Sequence, residues 1–144
     1  MTGRAPLRLA MSGVTTPETL EAIQLFVVDG CRRAGADDAM AFDLRLAVDE
    51  ASTNVAAHGY GGGEPGPIGV VLESDGARIR VTITDRGVPF RPERVDPPDL
   101  GADAEHRSLG GLGWHLIRQV TDAIEYHSGN DSGNRLVLER RLRT

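Results

Sequence analysis

Apolar and polar residues alternate along this chain with two different periods, which predicts a mixture of strands and helices. Segments 7–11 and 78–84 alternate at every second residue, the pattern of half-buried strands, and three further short segments read as strands. We predict strands at 7–11, 68–73, 78–84, 123–127 and 135–142. Turn-forming residues at 74–77 and 129–133 separate the second strand from the third and the fourth from the fifth, so both pairs are expected to form hairpins.

Helical periods fill the regions between these strands. Thr16 and Pro17 form a typical helix start, with Thr as the N-cap and Pro at the first helical position. This helix is expected to stop near Gly35, and Asp37 or Asp38 caps a second helix that runs to about His58. A short third helix is predicted at 113–120.

The order of these elements predicts an α+β fold, a two-layer sandwich with a mainly antiparallel sheet and helices on one face. Residues 1–144 are expected to form a single domain, because no linker or internal repeat divides them. The segment 91–110 is polar, contains proline and has no clear period. A loop of this length within a compact domain is usually functional.

The second predicted helix carries an unusual row of polar residues. Glu50, Asn54 and His58 are spaced four residues apart and therefore share one helix face. This face borders the apolar stripe formed by Leu44, Val48, Ala51 and Val55, whereas Ser52 falls on the predicted solvated face. From the helix alone, the row is either a polar flank or a binding site. His58 is interpreted as a C-terminal cap.

A second candidate motif is Asp85-Arg86-Gly87, directly after the third predicted strand. A carboxylate at the end of a strand can accept a hydrogen bond from an exocyclic amine, such as the 6-amino group of adenine. Gly87 would let a flat ring approach the backbone. The same three residues also fit an ordinary turn at the end of a strand.

A third motif is Gly110-Gly111-Leu112-Gly113, at the start of the third predicted helix. Free N–H groups and the positive end of the helix dipole favour phosphate there. The position after a long loop and the absence of Gly-Lys-Ser/Thr argue against a Rossmann fingerprint and a Walker A loop.

The order of the three motifs is that of the N, G1 and G2 boxes of the GHKL ATPase superfamily. Segments 46–60, 85–90 and 110–116 carry the resemblance, and the chain most resembles the anti-sigma-factor serine/threonine kinase branch. The resemblance implies the histidine kinase-like ATPase fold and ATP and Mg²⁺ as cofactors.

The resemblance also implies a role for each matching residue. Glu50 would be the base that takes a proton from the acceptor hydroxyl, and Asn54 would coordinate Mg²⁺. Asp85 would bind adenine, with Gly87 beneath the ring. Asn134 lies where relatives often carry a threonine close to adenine, so no second adenine contact is assigned.

In the same comparison, Gly110, Gly111, Leu112 and Gly113 would wrap the phosphates. The segment 91–110 would be the ATP lid, and Arg107 would reach the terminal phosphate. An arginine there would offset charge that develops during phosphoryl transfer. The alternative is that Arg107 is an ordinary exposed arginine that does not contact the phosphate.

Composition restricts the partners and the compartment. The net charge of -5 argues against binding to nucleic acid by phosphate neutralisation. No apolar run approaches the ~20 residues that span a bilayer, and the N-terminal residues lack the apolar segment of a secretory signal. Cys31 is the only cysteine and is expected in the core. We therefore expect a cytoplasmic protein that binds neither membrane nor nucleic acid.

The resemblance implies a kinase that phosphorylates a STAS-type anti-anti-sigma protein, sequesters a sigma factor and forms a homodimer. Two alternatives stay open: a switch kinase that acts on a STAS scaffold without binding sigma, and a nucleotide-dependent binding module without kinase activity. Glu50 argues against the second alternative, because a binding module needs no base. The catalytic half of a sensor histidine kinase is not expected, since the first strand begins within ten residues of the N-terminus.

Overall fold

Five strands and three α-helices make up the computed structural model, which describes residues 5–61, 64–89, 109–128 and 133–142. In chain order they are β1 (Leu7–Val14), α1 (Pro17–Arg33), α2 (Asp38–Asn54), β2 (Pro67–Ser74), β3 (Arg78–Asp85), α3 (Leu109–Val120), β4 (Ala123–His127) and β5 (Asn134–Arg141). A π-helical turn, Val55–Gly59, continues directly from α2. Such turns occur frequently at functional sites.

The strands form one antiparallel sheet in the order β1-β2-β3-β5-β4. The predicted α+β fold is confirmed. In this register Asp85, the last residue of β3, is paired with Asn134, the first residue of β5. The C-terminal end of β3 and the N-terminal end of β5, two inner strands, therefore lie side by side at one end of the sheet.

The hydrophobic core lies between the sheet and the three helices. Its fully buried side chains come from every layer and include Ile23, Val27, Leu44, Val48, Val70, Leu72, Ile79, Val81, Ile83, Ile117 and Leu138. Cys31 is buried among them, which confirms its expected place, and burial raises the pKa of its thiol to about 12. Within the described ranges, no helix is both long and apolar enough to cross a membrane.

Local side-chain caps start both long helices where the sequence predicts. The Thr16 hydroxyl accepts a hydrogen bond from the Thr19 backbone N–H at 3.3 Å. The Asp37 carboxylate accepts one from the Met40 N–H at 2.8 Å. These bonds satisfy backbone donors that a helix N-terminus leaves without a partner.

Three details differ from the sequence-based expectation. β1 extends to Val14 because β2 pairs with it along its whole length, as far as Pro67. α3 begins at Leu109, four residues before the predicted start. Ser52 is fully buried rather than solvated, since α2 packs against both α1 and α3. Its hydroxyl donates to the Val48 carbonyl at 2.7 Å, which satisfies the buried group.

Candidate active site

A pocket of about 150 Å³ lies where α2, its π-helical turn, α3 and the ends of β3 and β5 meet. Apolar side chains form most of its wall. A cavity of this size accommodates a small aromatic ring. The lining residues include Asn54, His58, Asp85, Trp114, Tyr126 and Leu136. The structure thus brings two of the predicted site residues, Asn54 and Asp85, to the same cavity.

Asp85 is the last residue of β3, and only one of its two carboxylate oxygens is hydrogen-bonded within the described residues. The Oδ1 atom accepts hydrogen bonds from the Gly87 backbone N–H at 2.8 Å and from the Asn134 amide nitrogen at 2.9 Å. Within the described part of the chain, no hydrogen bond engages Oδ2. Asp85 can therefore accept a donor from a ligand in the cavity without breaking its own contacts.

Gly87 packs against the backbone that follows α2. A Cβ atom at this position would overlap the Gly59 carbonyl group, and the Val88 N–H donates to the same Gly59 oxygen. Gly87 is not among the residues that line the cavity. The structure explains the glycine by close approach of two backbone segments, whereas the sequence prediction placed it beneath a ring.

Glu50 and Asn54 lie one turn apart on α2, and both are half-buried. Asn54 reaches the cavity wall, whereas Glu50 lies one turn further from it. Burial, and then the negative charge of Asp49, raise the pKa of the Glu50 carboxyl. The described residues offer Glu50 no hydrogen bond or ion pair. A half-buried carboxylate with a raised pKa and free oxygens has the properties of a general base.

Asp49 is fixed by contacts between the two long helices. Its Oδ1 atom accepts a hydrogen bond from Gln24 of α1 at 2.8 Å, and the Gln24 oxygen accepts one from Arg45 at 2.9 Å. The negative charge beside Glu50 therefore has a defined position, and its effect on the Glu50 pKa is built into the packing of α1 against α2.

His58 lies in the π-helical turn, with its side chain exposed at the cavity. No hydrogen bond from His58 to the last helical carbonyls is found among the described residues. Its capping role therefore has no hydrogen bond to support it in this part of the chain and stays a prediction.

The glycine motif lies within the N-terminal part of α3 rather than before it. Gly110, Gly111, Leu112 and Gly113 all belong to Leu109–Val120. Only the first four backbone N–H groups of a helix have no partner within it, so Gly110 and Gly111 have free N–H groups whereas Gly113, the fifth residue of α3, does not. Trp114 follows them, is buried, and lines the cavity. Arg107 and most of the predicted lid, 91–110, lie outside the described residues, which resume at Leu109.

Tyr60, at the end of the π-helical turn, joins three segments near the site. Its hydroxyl accepts a hydrogen bond from the Arg86 backbone N–H at 2.9 Å and donates to the Pro67 carbonyl. A Cβ atom at Gly66 would overlap its ring. Tyr60 therefore holds the start of β2 and the residue after Asp85 against the end of the helical segment.

Known proteins resemble this chain over nearly its whole length. A family model described as the histidine kinase-like ATPase domain matches residues 14–140. The chain belongs to this family. The serine-protein kinase RsbW of Listeria monocytogenes serovar 1/2a is 32% identical over 128 residues, which cover 86% of this chain and 80% of that protein. RsbW of Bacillus thuringiensis strain Al Hakam is 32% identical over 87 residues, 58% of this chain and 54% of that protein.

Two solved structures have a similar fold. One contains the RsbU and RsbW domains of a Mycobacterium tuberculosis protein, with a TM-score of 0.65 and 19% identity, covering 96% of this chain and 33% of that one. The other is the SiaB–SiaC complex of Pseudomonas aeruginosa, with a TM-score of 0.58 and 18% identity, and the match covers 96% of this chain and 92% of that one. The curated relatives confirm the predicted family and its protein-serine/threonine kinase branch.

Sequence reasoning missed Trp114 and Tyr126 at the site of this histidine kinase-like ATPase, and it placed Asn134 near the site without assigning it a contact. Trp114 and Tyr126 line the cavity, and Asn134 binds Asp85. The contact of Asn134 follows only from the strand pairing, in which β5 lies beside β3 and its first residue is opposite the last residue of β3. No comparable signal pointed to Trp114 or Tyr126, which read as ordinary apolar positions.

Proposed function

We propose that this protein is an ATP-dependent protein-serine/threonine kinase that phosphorylates a STAS-type anti-anti-sigma protein and sequesters a sigma factor. One observation carries the ATP site: Asp85 lines an apolar cavity beside the helix that bears Asn54 and Glu50, and both of its hydrogen bonds within the described residues use the same carboxylate oxygen. The names of the curated relatives, serine-protein kinases, support the class of reaction.

Adenine recognition is assigned to Asp85. Its carboxylate accepts a hydrogen bond from the 6-amino group, while the apolar wall, including Trp114 and Leu136, contacts the ring. A flat base in an apolar slot with one charged acceptor gains both hydrophobic burial and orientation. The aromatic and aliphatic wall also excludes the water that would compete for the carboxylate.

The phosphates and Mg²⁺ are assigned to Asn54 and the first turn of α3. No group of three or more His, Cys, Asp or Glu residues in the described segments could hold a metal ion by itself. An amide oxygen from Asn54, together with phosphate oxygens, suits Mg²⁺, which is usually held by few protein groups in such sites. The N–H groups of Gly110 and Gly111 suit phosphate oxygens, and Leu112 and Gly113 adjoin them in α3. When bound, Mg²⁺ would neutralise phosphate charge.

Glu50 is assigned as the general base. It accepts the proton of the substrate hydroxyl as that oxygen attacks the terminal phosphate, and ADP leaves with the bridging oxygen. A raised pKa brings a carboxylate closer to the operating pH, where base catalysis is most effective. Arg107, in the proposed lid at 91–110, supplies positive charge to the phosphoryl group being transferred.

The remaining assignments follow the family branch. We propose a single domain over residues 1–144, a cytoplasmic location and a homodimer. The alternative is a switch kinase that acts on a STAS scaffold without binding sigma. The fold of this chain is similar to that of a chain in the SiaB–SiaC complex, and a similar fold does not distinguish the two hypotheses. Both proteins would need the same ATP site, so the site does not separate them.

Phosphotransfer tests the proposal. The protein is incubated with labelled ATP, Mg²⁺ and STAS proteins encoded near its gene, and phosphoserine or phosphothreonine is read out on the STAS protein. Glu50→Gln is the matched control, because it keeps the size of the side chain and removes the base. We expect transfer by the wild type only. Transfer by Glu50→Gln at the wild-type rate would show that Glu50 is not the base.

Binding of sigma separates the two kinase hypotheses. The purified protein is mixed with candidate sigma factors in the presence of Mg²⁺ and ATP, and complexes are resolved by size-exclusion chromatography. A stable complex with a sigma factor that dissociates when the unphosphorylated STAS protein is added supports the anti-sigma kinase. Transfer to a STAS protein without any sigma complex supports the switch kinase. ATP binding without transfer supports the binding module.

A further inference from the structure

Asn134, the first residue of β5, is an uncharged polar side chain buried at the edge of the site. It is only 3% exposed and lies directly opposite Asp85 in the sheet register. Its amide nitrogen donates to Asp85 Oδ1 at 2.9 Å and to the Gly87 carbonyl at 2.8 Å. Both partners can only accept, so the nitrogen, and not the oxygen, must face them.

The backbone before Asn134 is shaped for this contact. Gly133 has a φ of 81°, in the left-handed region that favours glycine. A Cβ atom there would lie 2.5 Å from the Asp85 carbonyl oxygen. A residue with a side chain would therefore push the start of β5 away from Asp85. The glycine lets the strand begin close enough for the Asn134 amide to reach the carboxylate.

Two donors on one oxygen fix the orientation of the Asp85 carboxylate. Asn134 and the Gly87 N–H both bind Oδ1, and no hydrogen bond to Oδ2 is found within the described ranges. Rotation of the carboxylate would break both contacts. A preorganised acceptor loses less conformational entropy when a ligand donor binds to it.

We propose that Asn134 is a positioning residue that holds Asp85 so that one carboxylate oxygen faces the cavity, and that it thereby sets the preference for a 6-aminopurine. This inference rests on the proposed ATP site. Asn134 acts through Asp85 and is not among the residues that line the cavity. Its contribution is therefore to selectivity for the amino group, not to contact with the base.

The test compares ATP with purine riboside triphosphate, which lacks only the 6-amino group. Dissociation constants are measured by calorimetry for the wild type, Asn134→Thr and Asn134→Val. Threonine and valine have nearly the same shape, but only threonine can donate a hydrogen bond to Asp85. Asn134→Ala, which is smaller than asparagine and has no side-chain donor, replaces valine if that variant does not fold.

We expect the wild type to prefer ATP about tenfold to hundredfold, the scale of a hydrogen bond to a charged group. Asn134→Thr should keep most of this ratio, whereas Asn134→Val or Asn134→Ala should lower it several-fold. An equal loss of affinity for both nucleotides, with an unchanged ratio, overturns the positioning role. A wild type that binds neither nucleotide would instead contradict the proposed ATP site.

Discussion

Gly87 lies so close to Gly59 that a Cβ atom on Gly87 would overlap the Gly59 carbonyl group. The N–H of Val88 donates to the same carbonyl oxygen. This contact joins the loop after Asp85 to the end of the helical segment that carries Glu50 and Asn54. The proposed adenine acceptor and the proposed Mg²⁺ ligand are therefore parts of one rigid backbone arrangement.

Gly87→Ala tests this arrangement. The added methyl group meets backbone rather than a flexible side chain, so the two segments must separate. We expect a loss of about 1–3 kcal/mol in the free energy of unfolding, typical of overpacking, together with weaker ATP binding. Gly61→Ala is the control, because a Cβ atom at Gly61 would meet nothing within 4 Å. Equal stability and affinity in the two variants would contradict the contact.

The rate of phosphotransfer should depend on the charge of Asp49. Only ionised Glu50 can act as a base, so kcat should fall as acid protonates it, at a pH above the ordinary glutamate value of 4.5. Asp49→Asn removes one cause of the raised pKa and keeps an oxygen for Gln24. We expect the acid limb of the kcat profile to move to lower pH.

Asp38→Asn is the control for the change in net charge, since Asp38 is exposed at the opposite end of α2. Its profile should match the wild type. An acid limb that stays in place in Asp49→Asn, or moves to higher pH, would contradict the effect of Asp49 on the Glu50 pKa.

The free energy of unfolding gives an independent check of the raised Glu50 pKa. Since folding raises the Glu50 pKa, Glu50→Gln should gain in free energy of unfolding relative to the wild type as pH rises through that pKa.

Helix starts were predictable because caps are local. Thr16 and Asp37 bind backbone groups three residues away, and alternating apolar residues suffice to place strands. Positions that depend on distant neighbours were not predictable in this way. Ser52 is buried because helices lie on both sides of α2, and Gly87 is explained by a residue 28 positions earlier, Gly59. Periodicity contains no information on such contacts.

At the candidate site too, local features could be predicted from the sequence, whereas contacts between distant residues could not. Glu50 and Asn54 could be placed on one face from their spacing, and Asp85 at the end of a strand from its sequence neighbours. The amide of Asn134 could not be assigned, because its partner is 49 residues away in the chain. Strand register, which brings the two together, became known only with the sheet order.

Asn54→Ala should weaken the Mg²⁺-dependent part of ATP binding. We expect the gain in affinity that Mg²⁺ provides to fall by about tenfold to hundredfold, the usual scale for losing a group at a metal site. Binding measured in EDTA should change little. Thr53→Ala, at the exposed neighbouring position of the same helix, is the control. An unaltered response to Mg²⁺ in Asn54→Ala would exclude the metal role.

Asp85→Ala should weaken ATP binding by about 1.5–3 kcal/mol, or roughly tenfold to hundredfold, because a hydrogen bond to a charged group is lost. Purine riboside triphosphate should lose much less, since it has no 6-amino donor. Asp75→Ala is the control: Asp75 also accepts backbone N–H groups in a turn, but it lies at the other end of β3. Equal losses for both nucleotides would argue against an adenine contact.

The most direct test of the ATP site is a crystal structure with Mg²⁺ and a non-hydrolysable ATP analogue. We predict the base in the cavity between Asp85 and Trp114, with its 6-amino nitrogen about 2.7–3.2 Å from a carboxylate oxygen of Asp85 and the metal bound to Asn54. A nucleotide bound elsewhere on the protein, with this cavity empty, would contradict the account.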